Sequence, residues 1–313
     1  MPAQALKEMV CVRYMVIFSG SVELFEKLPT NFYLKSDHMN MKIGCHVSIA
    51  GGIQNAPKRA ADLGCEIFQL FTRSPQGGPA PELTRDVVAE FKEEMKKWKQ
   101  EDCYIHTPYY INFASVKENV RKASVKVVRE ELERGSSIGA KYVMTHLGSA
   151  KDYINKAEAL DVVVQSVNEI MHGYKGETIF LLEISAGSGD IIGSTFEELH
   201  YIISKTTDKI GVCIDSAHVF ASGYDIKTEG GFDEVAKNIN NTVGLNAVKL
   251  IHANDSMVDL GEKKDRHEHI GDGKIGLSGF NNLIKQFPNI DMILETDHNK
   301  VEDDIRKLKK LRG

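Results

Sequence analysis

From residue 42 onward, short runs of β-branched and aromatic residues alternate with longer segments whose apolar residues recur at helical spacing, and eight such pairs follow one another. A strand followed by enough chain for a crossover helix, repeated without interruption, leaves parallel pairing as the natural outcome. The expected strands are 43–47, 67–72, 104–107, 142–146, 179–184, 211–215, 248–252 and 292–295. Several are almost continuously apolar, as strands covered on both faces must be. Between them lie helical stripes: Val88, Phe91, Met95 and Trp98; Val116, Val120, Ala123 and Val127; Leu160, Val163, Val164, Val167 and Ile170. Spacings of three and four put each set on one helix face, and core packing accounts for them without a cofactor.

Eight strand-helix units with no Pro/Ser-rich linker between them predict an α/β fold, a single closed (β/α)8 TIM barrel over residues 42–313. An open doubly wound sheet is the competing architecture, and it lacks its dinucleotide signal. Gly51-Gly52 is no Gly-x-Gly-x-x-Gly, and Ala186-Gly187-Ser188-Gly189 is not followed by Gly-Lys-Ser/Thr. The 313 residues exceed an ordinary barrel, which takes about 250 residues. Residues 1–41 account for the excess and are expected to be an extension of unknown role that the barrel does not need. Their apolar run, 9–18, is interrupted by Arg13 and shows no clear small-x-small cleavage signal, which argues against a secretory leader.

Composition narrows the class further. Hydrophobic residues at 42% and charged ones at 27% suit a soluble chain with a sizeable core. The net charge of −5 offers no global basic field for a polyanion. Cys11, Cys45, Cys65, Cys103 and Cys213 form no Cys-x-x-Cys pair, so neither a thiolate zinc knuckle nor a disulfide framework is expected; a reducing, cytoplasmic setting is. No uncharged apolar stretch approaches the roughly 18 residues of a membrane span.

In a closed parallel barrel the chemistry gathers where the strands end. His106, His146, Glu183, Asp215, His252 and Glu295 close successive expected strands, each about one unit after the last, so all converge on one rim. His218 follows Asp215 by three positions, and Asp265-Arg266-His267 lies in a charged, Gly-bounded loop that could serve as a lid. Any one of these is more often a hydrogen-bonded structural residue than a ligand. Together they are different, because four neighbouring carboxylates repel one another unless cations neutralise them. Imidazole with carboxylate suits zinc and also manganese or iron. Nine ligand-type side chains exceed what one four-coordinate ion can use, so two or three ions are implied, an arrangement suited to in-line displacement at phosphorus.

These residues sit in longer motifs: Ile43-Gly44-Cys45-His46-Val47-Ser48-Ile49-Ala50-Gly51-Gly52, Cys213-Ile214-Asp215-Ser216-Ala217-His218, Ile251-His252-Ala253-Asn254-Asp255, Asp265-Arg266-His267-Glu268-His269 and Ile293-Leu294-Glu295-Thr296. Over roughly residues 42–311 the chain resembles the endonuclease IV family of zinc-dependent abasic-site endonucleases. The resemblance implies three zinc ions, manganese being compatible with part of the cluster. One would sit on His106, His146 and Glu183. Glu183 would bridge to a second that also takes Asp215, His252 and Glu295, and His218, Asp265 and His267 would hold the third. Glu183, Asp215 and Glu295 would be the catalytic carboxylates. The implied reaction cleaves the phosphodiester 5′ to an abasic sugar with metal-activated water, the abasic nucleotide being swung out of the duplex; a monomer acting on double-stranded DNA is expected, with no membrane partner.

Tyr109 matches the position that probes the helix at the lesion, and Tyr110 follows it. Where many members carry Arg after the second strand, this chain has Gln76, followed by Gly77-Gly78; Arg73 is the compensating cation, or else an ordinary solvated arginine. Thr107-Pro108 and Leu147-Gly148-Ser149-Ala150 also depart from the family pattern, though His106 and His146 are kept. His46 and His269 match motif positions that support ligands or form plain hydrogen bonds. Two other readings compete. A single-metal sugar isomerase or epimerase would use only Glu183, Asp215, His252 and Glu295, and leave His106, His146, His218 and the 265–267 loop idle. A nonenzymatic metal-binding protein is the second, and a concave rim disfavours it.

Overall fold

The computed structural model describes residues 40–206 and 210–313, and within the first 39 residues only the backbone of Tyr14–Phe18 and Ser21–Phe25. Those two segments pair antiparallel, Phe18 opposite Ser21 and Tyr14 opposite Phe25. The chain divides into two compact units, Met1–His38 and Met39–Gly313. The expectation that residues 1–41 are dispensable falls largely outside the described residues.

Eight parallel strands close the second unit into a barrel: β1 (Ile43–His46), β2 (Ile67–Leu70), β3 (Cys103–His106), β4 (Tyr142–Thr145), β5 (Ile179–Glu183), β6 (Ile210–Asp215), β7 (Val248–His252) and β8 (Asp291–Leu294). Each pairs with the next in chain order, and β8 pairs with β1 to complete the ring. The crossovers are α1 (Ala56–Asp62), α2 (Arg85–Lys97), α3 (Glu118–Ile138), α4 (Lys156–Met171), α5 (Phe196–Ile203), the consecutive α6 (Ser216–Ser222) and α7 (Glu229–Asn241), α8 (Gly276–Gln286) and α9 (Val301–Arg312). No described helix is long and apolar enough to cross a membrane.

Side chains alternate along a strand, so a residue two positions beyond an inward-facing one also faces inward. Ile67, Tyr104, Met144, Leu181, Cys213, Leu250 and Ile293 pack together as a cluster separate from the larger strand–helix core. Two positions after each come Gln69, His106, His146, Glu183, Asp215, His252 and Glu295. The pleat therefore stacks a polar layer directly above the interior apolar one, at the end where the strands finish. At β1 the interior place belongs to Gly44, where a Cβ would come 1.7 Å from the carbonyl oxygen of Ile67; only glycine permits β1 and β2 to approach so closely there.

One helical stripe differs from expectation. On α3 the buried face is Val125, Val128, Leu132, Gly135 and Ile138, while Ala123 is exposed and Val116, also exposed, precedes the helix. The valines of this stretch admit two registers about one residue apart, and packing chooses the one that also turns Glu131 inward. On α4 the expected stripe holds, with Val163, Val164, Val167 and Ile170 buried.

Candidate metal centre

Three groups of side chains bring ligand atoms within 4.8 Å of one another: His106, His146 and Glu183; Glu183, Asp215, His252 and Glu295; and Asp215, His218 and His267. Glu183 and Asp215 are each shared between two groups, so the three are contiguous. Eight of the nine ligand-type residues named from sequence fall in these groups. Asp265 is outside the convergent sets, yet its Oδ1 is 3.2 Å from both His218 Nε2 and His267 Nε2.

Local structure explains each position. Asp215 is the N-cap of α6: its Oδ1 accepts from the His218 backbone N–H at 2.8 Å, which sets the first turn and aims His218 inward. The 265–267 loop is no free lid. Asp255–Ser256 pairs antiparallel with His267–Glu268, and the backbone N–H groups of Gly261 and Lys263 donate to Phe220 and Ala221 of α6. Buried Asp255 accepts from the N–H groups of Gly271, Gly273 and Ile275, fixing the return toward α8. Asn254, which sequence reasoning does not single out, donates to Asp215 Oδ2 at 2.6 Å and accepts from the Glu295 N–H at 2.8 Å. Gln69 escapes it as well; its place two residues beyond Ile67 on a barrel strand is the signal that could have found it.

Three imidazoles share one pattern. His106 Nδ1 donates to the Thr107 carbonyl at 2.6 Å, His218 Nδ1 to the Ile184 carbonyl at 3.0 Å, and His252 Nε2 to Gln69 Oε1 at 2.8 Å. Each thereby directs its other nitrogen at carboxylates: His106 Nε2 is 3.1 Å from Glu183 Oε2, and His252 Nδ1 is 2.9 Å from Glu183 Oε1. A protein oxygen on one ring nitrogen is how metal-ligating histidines are oriented. Three ring nitrogens, His146 Nδ1, His218 Nε2 and His267 Nε2, are buried without a hydrogen-bond partner. The last two each lie 3.2 Å from the same Asp265 oxygen, Oδ1, so both rings converge on one point. Orphaned buried polar atoms call for a water or an ion, and a site of imidazoles and carboxylates fits zinc or manganese.

Electrostatics agree. Burial is the largest influence on every one of these groups and opposes charge. Nonetheless Glu183 is held well below the usual carboxylate range by His146, His252 and His106 around it. His252 counters Glu295's burial and holds that carboxyl at about 2. Asp215, Asp265 and Glu183 outweigh burial at His218 and raise it to about 10. At His146 burial prevails and the pKa falls. Carboxylates this deep persist only with positive charge among them.

The remaining expectations divide. Tyr109 is 68% exposed, stands edge-on to Phe71 at 5.3 Å, and with Tyr110 borders a cleft of about 330 Å³ that reaches His146, His218 and Asp265. Gln76 is exposed on the adjoining loop, where the Tyr109 N–H donates to the Pro75 carbonyl. Arg73 is neither an open cation nor a solvated one. It is 4% exposed, with Nε 2.5 Å from Glu131 Oε1 and a terminal nitrogen 3.0 Å from Glu130 Oε2, so its charge is spent inside the protein and the geometry gives no support to a DNA contact. His46 Nδ1 meets Gln69 Nε2, and His269 donates to buried Asp304 at 2.7 Å.

Residues 57–311 match the family described as a xylose isomerase-like TIM barrel. The chain is 42% identical over 257 residues to the "Probable endonuclease 4" of Aquifex aeolicus, covering 81% of this chain and 90% of that protein. To its namesake from Nitrosopumilus maritimus it is 38% identical over 280 residues, covering 86% and 98%. Among solved structures it is similar to endonuclease IV from Thermus thermophilus, with a TM-score of 0.78 and 28% identity over 86% of this chain and 98% of that one. A D-tagatose 3-epimerase-like protein aligns with a TM-score of 0.65 at 20% identity, over 87% of this chain and 97% of that one, a likeness of fold alone.

Proposed function

This chain belongs to the endonuclease IV family, and on that footing we propose that it is a DNA-repair endonuclease hydrolysing the phosphodiester 5′ to an abasic site in duplex DNA. The products would be a 3′-hydroxyl and a 5′-deoxyribose phosphate. The observation that carries this reading is the triple use of the rim: three contiguous groups of ligand atoms, with histidines braced from behind by protein oxygens. A single-metal isomerase would need only the central group, and the likeness to an epimerase extends to the fold alone.

His106, His146 and Glu183 would hold one zinc ion and Glu183, Asp215, His252 and Glu295 a second; His218 and His267 would hold a third, with Asp265 and Asp215 as its carboxylates. Manganese is compatible with part of this set. When bound, such ions supply Lewis acidity, making water a nucleophile near neutral pH and neutralising charge that develops at phosphate. Three divalent ions also cancel the formal −5 of the chain, so its acidity ceases to argue against DNA. Glu183, Asp215 and Glu295 are the proposed catalytic carboxylates, held in place by their histidine, Asn254 and Gln69 partners. The cleft beside His146 and His218 would take the extruded sugar-phosphate, extrusion being least costly where no base must be unstacked. Tyr109, Tyr110 and Gln76 are the proposed DNA contacts; Arg73 is not among them. The protein would act as a monomer in the cytoplasm, with residues 1–41 an appendage to the barrel.

Incision of a duplex carrying one abasic site, with and without chelator, tests the reading. Cleavage should depend on metal and leave an end that a DNA polymerase extends directly. No cleavage, together with turnover of a ketose, would favour the isomerase.

A further inference from the structure

Gln69 is fully buried and touches three side chains of the site. Its Nε2 donates to Glu295 Oε1 at 2.6 Å and lies 3.2 Å from His46 Nδ1, while its Oε1 is 2.8 Å from His252 Nε2. A carboxylate only accepts hydrogen bonds, so the amide nitrogen must face Glu295. The amide oxygen then faces His252, whose Nε2 must carry a proton, and His46 Nδ1 must accept. That proton leaves Nδ1 as the one nitrogen His252 can offer to an ion, and Nδ1 points at Glu183 Oε1 at 2.9 Å and Glu295 Oε2 at 3.4 Å. One carboxamide thus fixes the tautomer of one member of the Glu183–Asp215–His252–Glu295 group and the rotation of another.

Its own freedom is small. Gln69 sits near the end of β2 between paired strands, opposite His46 on β1 and Tyr104 on β3. We propose that Gln69 is a positioning residue that pre-sets His252 and Glu295 for metal binding, and that its loss weakens the ion of that central group selectively. This rests on the metal reading given above. Partners of this kind typically change metal affinity about 10- to 100-fold.

The test is metal analysis and zinc competition titration against a chromophoric chelator, using the full chain and its Gln69→Met variant, which keeps the volume and removes both polar ends. Gln69→Asn, an amide too short to span both partners, serves if the first variant fails to fold. The expected result is one ion bound about 10- to 100-fold more weakly, the others as in wild type, with kcat lowered and KM for abasic duplex unchanged. If a folded variant holds every ion as tightly as wild type, Gln69 has no positioning role and the metal reading stands. Uniform weakening of all ions with a lower melting temperature of the stripped chain would make Gln69 merely structural and also overturn the proposal. A wild-type chain without stoichiometric metal would overturn the metal reading itself, and this inference with it.

Discussion

Replacing Arg73 by Met separates two roles that sequence alone leaves entangled. Arg73 and Glu131 are 4% and 0% exposed, their charged atoms 2.5 Å apart, and Thr72 Oγ1 donates to the other Glu131 oxygen at 2.6 Å. Removing the guanidinium leaves Glu131 with that hydroxyl and with Arg134, whose Nε is 3.8 Å away and already donates to Thr72. Breaking a buried pair costs about 3–5 kcal/mol because the surviving charge is stranded. Arg134 offsets part of this, which places the expectation near the lower end, about 3 kcal/mol. For a barrel of this size that lowers the melting temperature by about 6 °C, at ~2 °C per kcal/mol. The assay is a urea and thermal melt of Arg73→Met beside KM for abasic duplex. A double variant, Arg73→Met with Glu131→Leu, should recover most of the loss, since replacing both charges removes the stranded one. Unchanged stability with a raised KM and a shallower salt dependence of binding would refute the argument and restore Arg73 as a phosphate contact.

Other consequences are equally open to measurement. Tyr109→Ala should raise KM for abasic duplex about 10-fold, the loss of one stacking or packing contact worth ~1–3 kcal/mol, with metal content and melting temperature unchanged; a lower melting temperature would make Tyr109 a packing residue. Gly44→Ala should cost at least ~3 kcal/mol, since its Cβ would meet the Ile67 carbonyl and neither strand can retreat; a soluble variant melting like wild type would contradict the close approach. Glu66 ties α9 to β1, accepting two hydrogen bonds from Arg312 and one from the Ile43 N–H. Burial raises its pKa, but Arg312 and the Ile43 amide outweigh this and hold it below its ordinary 4.5. The stabilisation is therefore fully present above about pH 4.5 and lost as pH falls through the lowered value. In urea melts across pH, the advantage of wild type over Glu66→Gln should be constant above that point and shrink below it; an advantage that grows on acidification would reverse the assignment.

The barrel is legible because two periodicities act together: strand–crossover alternation gives the topology, and the period of two along each strand aligns His106, Glu183, Asp215, His252 and Glu295 above interior residues. Convergence of the ligand-type side chains needs little beyond that arithmetic. Gln69 and Asn254 escape it because an amide has no signature of its own; only its partners reveal what it does. The burial of Arg73 escapes it too, since the charge that draws it inward belongs to Glu131 on α3, where the valine stripe reads one residue out of register. Nor does the 265–267 loop disclose from sequence that it is laced to α6 and Asp255, because its anchors are backbone amides.

A rim that holds a cluster of ions has a countable metal content. Elemental analysis of the full chain, purified without chelator, should find about three zinc-class ions per molecule from the number of ligands and the four-coordinate rule. Glu183→Gln, which strikes the carboxylate shared by two groups, should lose at least one of them and abolish incision while the barrel still folds. A single ion per chain, or an undiminished count with full activity in Glu183→Gln, would contradict the account.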